Sequence, residues 1–273
     1  MMWKTLRRKN LRSAPFPPEW RRIIEAVCPF YKRLAGPDRL ELEGHIQVFL
    51  AEKKFEGCGG LEMNDNIRLI IAAQACLLLL HRDTDYFPGL QTVLVYPSAY
   101  VVPTARHVAS GVYEEGLQSR SGESWREGAV VLAWDAVLSG VHDPAAGLNV
   151  VLHEFAHQLD YEDGRADGAP LLGHGQPLLE QKRRYADWSR VMRSEFEQLR
   201  ARIQRGQTSV LRDYGATNPA EFFAVATECF FTRPRDLRQI HPELYGQLKW
   251  YYRQDPAAPD PHGRPFSGGN GFP

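Results

Sequence analysis

The sequence predicts an α+β domain, mainly helical, with a small mixed β-sheet. Three observations lead there. Apolar residues recur at helical spacing early in the chain and again after Gly140. Between these blocks lie two β-prone segments, "QTVLVYPSAYVV" and "REGAVVLAWDAV", interrupted by Pro97 and led by Gly128. Helices and strands do not alternate strictly, which favours α+β.

Taken in order, residues 1–17 read as a flexible, basic, Pro-containing lead. Residues 18–255 read as one domain, and 256–273, dense in Pro and Gly, as a disordered tail that cannot bury a face. "LELEGHIQVFLAEKKF" places Leu42, Ile46, Phe49 and Leu50 on one helical stripe. The apolar run over 69–80, interrupted by Gln74, is a buried helix too short to span a bilayer. "YEEGLQSRSGESW" is a polar connector with hairpin character, and 129–134 is a short strand. In "HDPAAGLNVVLHEFAHQLD" Asp143 is the expected N-cap, with Pro144 at the first helical position. The Gly- and Pro-rich stretch 163–177 is a loop. A long amphipathic helix follows over 178–203, its buried side marked by Tyr185, Trp188, Met192, Phe196 and Leu199. Asn218 and Pro219 start another helix, and "PELYGQLKWYYRQ" forms the last.

Composition narrows the function classes. The chain has 273 residues, 43% of them hydrophobic, and a formal net charge of +0. That length allows one sizeable core. The balanced charge gives no electrostatic reason to expect nucleic acid or an anionic membrane as partner. Cys28, Cys58, Cys76 and Cys229 form no CxxC pair, so a thiolate metal site is not expected. The N-terminus has no apolar stretch behind its charges, so it is not a secretory signal, and a cytoplasmic location is expected by default.

The chemistry concentrates in "HEFAH". Helical residues four apart share a face, so His153 and His157 can offer two imidazole nitrogens to one ion. Glu154 borders that face and can act as general base without being a ligand. Zinc bound this way lowers the pKa of water from 15.7 towards ~7 and polarises a carbonyl. A catalytic zinc needs a third protein ligand and an open position. One scheme continues the same helix through a glycine turn to a third histidine. Asp160 and Asp163 stand at those positions, so only Asp163 remains a candidate there. His174 in the following loop is another. A third is Glu221, which is also placed to complete a capping box with Asn218. Its surroundings, Phe222 and Phe223 in an almost wholly apolar helix, demand a compensating charge that zinc would supply.

"HEFAHQLD", "DYGATNPAEFFAVATECFF" and "LYGQLKWYYRQDP" together strongly resemble the Mlc titration factor A family of bacterial zinc metallopeptidases. "VLVYPSAYVV" and "SGESWREGAVVLAWDAV" are similar to that family's central segments, so the likeness covers roughly residues 18–256. The resemblance implies a zincin/gluzincin-like fold, a cytoplasmic aminopeptidase-type activity on peptides, one Zn²⁺ per chain and binding of an Mlc-like repressor of sugar uptake. By position it implies His153, His157 and Glu221 as zinc ligands and Glu154 as catalytic base. The segment is also similar to the zinc site of the anthrax lethal factor catalytic domain, where a tyrosine seven residues before the glutamate ligand faces the site. Tyr214 holds that spacing and would stabilise the oxyanion. One departure stands out. A common gluzincin pattern places an acid four residues after the glutamate ligand to orient the first histidine, and this chain has Val225 there. The orienting carboxylate is then expected from Asp160 or Glu228. In related enzymes the strand before the metal helix, here 129–134, borders the cleft and pairs with an extended substrate.

Overall fold

A computed structural model describes residues 2–259 apart from 110, 111, 121, 126, 127 and 174; for Met2 and residues 100–127 it describes the backbone alone. The chain runs α1 (Met2–Ser13), α2 (Pro18–Val27), α3 (Pro29–Arg33), α4 (Gly36–Glu52), β1 (Lys54–Gly57), α5 (Asp65–Leu77) and β2 (Thr92–Tyr96). It continues through β3 (Tyr100–Ala109), β4 (Val112–Arg120), β5 (Gly122–Trp125), β6 (Ala129–Ala133), α6 (Trp134–His142) and α7 (Val150–Asp160). It closes with α8 (Leu178–Gln204), α9 (Pro219–Thr232), α10 (Pro234–Ile240) and α11 (Pro242–Tyr252). The fold is mainly helical α+β.

The sheet is mixed, in the order β1-β2-β6-β5. β1, β2 and β6 run parallel, and β5 pairs antiparallel with β6. β3 and β4 form a separate antiparallel pair; the polar connector 113–125, expected to have hairpin character, instead supplies β4 to this pair and β5 to the sheet. Strand β6 is internal in the sheet and buried over Val130–Ala133. Being internal, it has no free edge. The expectation that 129–134 pairs with substrate is therefore corrected: the outer edge on that side is β5, which lies against α7.

Two further expectations change. Residues 2–13 are a helix, not a loose lead. Arg8 pins α1 to α4 through Nε and an amino nitrogen on Glu52, at 2.8 and 2.7 Å, and its guanidinium lies over the Tyr86 ring. Asp143 caps a 3-10 turn over Pro144–Ala146, not the following helix. Gly147, with φ of 71°, breaks that turn, and α7 starts afresh with Asn149 as its N-cap.

The core is aromatic where it supports α7. Phe155 meets Phe49 and Phe87 at ring separations of 5.7 and 4.9 Å. On the other side, Trp188, Phe223 and Tyr251 bind α8, α9 and α11 together edge to face. These packed rings hold α7 and α9 as rigid neighbours. Within 256–259, expected in the tail, Ala257 is buried and its N–H donates to the Tyr245 hydroxyl at 3.0 Å, while Ala258 and Pro259 are exposed; the remaining tail lies outside the described residues.

Candidate metal centre

His153, Glu154 and His157 follow from the way α7 is anchored. Asn149 makes three contacts at its start. Its Oδ1 accepts from Leu152 N at 3.0 Å, its Nδ2 donates to Gln74 Oε1 at 2.7 Å, and its N–H donates to Glu228 Oε2 at 2.7 Å. Gln74, the polar interruption in the apolar run, is thus the buried acceptor that holds this cap. Helix α9 presents Glu221 and, two turns on, Glu228. Asn218 caps it by accepting from Glu221 N at 3.0 Å, but the Glu221 carboxylate turns to the histidines rather than completing a capping box.

Three atoms converge. His153 Nε2 lies 3.0 Å from Glu221 Oε2 and 3.2 Å from His157 Nε2. His157 Nε2 lies 3.3 Å from the same Glu221 oxygen. A tetrahedral ion with bonds of about 2.0–2.1 Å separates its ligand atoms by about 3.3–3.4 Å, so the triangle has nearly the size zinc needs. Among the described residues this is the group of His, Cys, Asp and Glu side chains that could hold a metal ion. Of the other third-ligand candidates, Asp163 is exposed and accepts from Arg165 N, while His174 lies outside the described residues.

The donor chemistry asks for a cation. His153 Nδ1 lies 2.7 Å from Glu228 Oε1, and a carboxylate paired with Arg212 can only accept, so Nδ1–H donates. Neutral His153 then aims its Nε2 lone pair at a second carboxylate and a second imidazole. Without an ion that clash is relieved by a second proton. Burial opposes it, yet hydrogen bonds to Glu221 and Glu228 override burial and push the His153 pKa up to about 10. The same histidines hold Glu221 well below the usual carboxylate range, against the effect of its burial. A metal ion in the triangle would meet this demand directly, so these residues fit one.

Glu154 sits in the opposite environment. It is buried, has no hydrogen-bond donor among the described residues, and burial pushes its pKa up to about 7. Tyr214 lies in a 3-10 turn over Asp213–Ala216, 48% exposed, with its ring 5.9 Å from that of His153. It stands at the mouth of the site.

Between Asp160 and Glu228, the carboxylate on His153 is Glu228. Asp160 is fully buried elsewhere, where its Oδ2 accepts from Gly168 N at 3.0 Å and burial pushes its pKa up to about 6. Val225 packs instead against Gly215 of the Tyr214 turn. A Cβ on Gly215 would lie 3.3 Å from Val225, so the turn packs closely on α9 at this point. Sequence reasoning missed Asn149, Gln74 and Arg212. They act across about 16 to 79 residues of chain, and no periodicity signals such pairings.

A family model described as glucose-regulated metallo-peptidase M90 matches residues 3–253. Uncharacterized protein slr2042 of Synechocystis is 41% identical over 93% of this chain and 90% of its own length. Mlc titration factor A of Klebsiella pneumoniae is 32% identical over 85% of each chain. That of Escherichia fergusonii is 31% identical over 88% of this chain and 87% of its own.

Proposed function

The chain belongs to the glucose-regulated metallo-peptidase M90 family, and from that premise we propose that it is a zinc-dependent peptidase of aminopeptidase type with a gluzincin-like centre. The observation that carries this reading is the convergence of His153, His157 and Glu221 beside a buried, uncommitted Glu154. One Zn²⁺ would be held by the two Nε2 atoms and the Glu221 carboxylate. When bound, it would supply the Lewis acidity that makes water a nucleophile near neutral pH.

The protein's own groups account for the remaining steps. Glu154 takes the proton of the attacking water and returns it to the leaving amine, and a base with pKa near 7 suits that exchange at neutral pH. Tyr214 donates a hydrogen bond to the developing oxyanion. Glu228 fixes the His153 ring by accepting from Nδ1–H. An extended peptide that adds to the sheet would meet the β5 edge beside α7.

The test is metal content together with hydrolysis of a panel of free and N-terminally blocked peptides, with and without chelator. About one zinc per chain and chelator-sensitive cleavage of free peptides alone support the reading. Equal cleavage of blocked peptides replaces the aminopeptidase mode by an endopeptidase mode. Absence of metal and of hydrolysis removes the enzyme reading.

A regulatory role is proposed beside it: binding of an Mlc-like repressor in the cytoplasm. Its support is the name carried by relatives about 30% identical over most of the chain. No helix among the described residues is long and apolar enough to cross a membrane. The retained Glu154 favours catalysis in addition to docking, since a pure binding module has no use for a general base. Repressor captured by wild type and by Glu154→Gln alike supports a docking role separate from catalysis; no capture by wild type removes it.

A further inference from the structure

Arg212 lies outside the convergent triangle and reaches it through Glu228. Its guanidinium pairs with Glu228 Oε1, the same oxygen that accepts from His153 Nδ1. The other Glu228 oxygen accepts from Asn149 N, the cap of α7. Glu228 is 1% exposed and stands between a histidine, a helix start and a guanidinium. Among the described residues the guanidinium has no other acceptor, and its buried Nε is unpartnered. Arg212 also immediately precedes the turn that carries Tyr214, which Gly215 seats tightly against Val225.

We propose that Arg212 is a positioning residue: its pairing with Glu228 sets the direction of the His153 ring and, through the backbone of the 213–216 turn, the place of Tyr214 over that ring. The inference rests on the zinc reading above. The physical argument is one of desolvation and geometry. A carboxylate this deeply buried needs its charge matched, and the Arg212 guanidinium supplies that charge at the oxygen that also accepts from His153 Nδ1. The other Glu228 oxygen is held by Asn149 N. With Arg212 shortened, Glu228 keeps those two contacts but not its matching charge, and its hold on the His153 ring weakens. The Tyr214 turn loses its side-chain tie to α9 in the same stroke. Groups that orient a ligating histidine typically carry a 10–100-fold effect on metal affinity, although they never touch the metal.

The experiment is zinc affinity by chelator competition on folded protein, with the visible spectrum of the Co²⁺-substituted form as a second readout. The variants are Arg212→Gln, Glu228→Gln and the double variant. Arg212→Gln is expected to lose roughly 10-fold or more in zinc affinity and to alter the cobalt spectrum. Because Arg212 acts through Glu228, the double variant should lose about as much as Glu228→Gln alone. Arg212→Lys, which keeps the charge but not the planar guanidinium, should fall between wild type and Arg212→Gln, and it carries the comparison if Arg212→Gln does not fold. Kinetically, Arg212→Gln combined with Tyr214→Phe should lower kcat by less than the product of the two separate effects. Zinc affinity within twofold of wild type in Arg212→Gln, or in Arg212→Lys where only that folds, overturns the proposal and leaves the zinc reading standing. Fully independent losses from Arg212 and Glu228 overturn it as well. A wild-type protein that holds no zinc overturns both together.

Discussion

Replacing Glu154 by Gln separates its chemical role from its structural cost. The carboxyl is buried, and burial raises its pKa from 4.5 to about 7. The folded state therefore prefers the protonated form, so wild-type stability declines as pH rises from about 4.5 through about 7. At about 1.4 kcal/mol per pH unit, the interval between these values amounts to at most roughly 3 kcal/mol above pH 7. Gln keeps the shape and removes the charge. Metal-free Glu154→Gln should thus match wild type below about pH 4.5 and exceed it by up to about 3 kcal/mol at pH 8. With zinc bound the gain should shrink, because the cation offsets the buried charge. Activity moves the other way. An amide cannot take the water's proton, and loss of a general base lowers the rate by roughly 10²–10⁴. Urea unfolding at pH 4.5 and pH 8, with zinc content and kcat, measures all of this. A pH-independent stability difference refutes the burial argument. Full activity with zinc bound refutes the general-base role.

Three other outcomes are expected. Glu221→Gln should lose most zinc by metal analysis while Asp163→Asn keeps it; the reverse pattern would move the third ligand to Asp163. Tyr214→Phe should lower kcat with little change in KM, by about 2.7–4 kcal/mol in barrier if it serves the oxyanion, and a kcat within about twofold of wild type removes it from the mechanism. Glu41 is held at a pKa of about 2, first by its hydrogen bond to His45 and, against burial, by the His81 N–H. Its contribution, of order 1–3 kcal/mol, is present above about pH 4.5 and lost as pH falls towards 2, so Glu41→Gln should flatten the acid limb of the stability curve. An unchanged acid limb would count against that ion pair.

The parts of the fold that announce themselves locally were legible in the sequence. Asn218 and Pro219 mark the start of α9, and the apolar stripe through Trp188 and Leu199 marks α8, because caps and periodicity are short-range signals. The histidine pair was legible as a candidate metal site because few residue types offer ligand nitrogens four apart on a helix, whereas Glu221 was one of three candidates for the third ligand until the family resemblance singled it out. What stayed hidden depends on distant partners. Helix α1 has few apolar residues, and its place is set by Arg8 on Glu52, 44 residues away. The strand 129–134 is expected to border the cleft, and only its pairing with β2 on one side and β5 on the other makes it internal. Asp143 and Asn149 are both good caps, and only Gly147 between them, with its left-handed backbone, decides which one starts α7.

Three glutamates lie within reach of the two histidines. Their partners divide them. Glu221 faces both imidazoles and is held in its charged form, as a ligand must be. Glu228 faces Arg212, Asn149 N and His153 Nδ1, so its acceptor capacity is spent on orientation. Glu154 has no hydrogen-bond donor among the described residues, and burial outweighs the pull of His153 and His157, so it is pushed into the range where a carboxylate exchanges protons at neutral pH. Environments that drive neighbouring carboxyls apart in this way are how one site assigns acid–base roles. The division of labour proposed here therefore does not depend on the HExxH spacing by itself. It would read the same if the three glutamates were met in the folded protein without their sequence order.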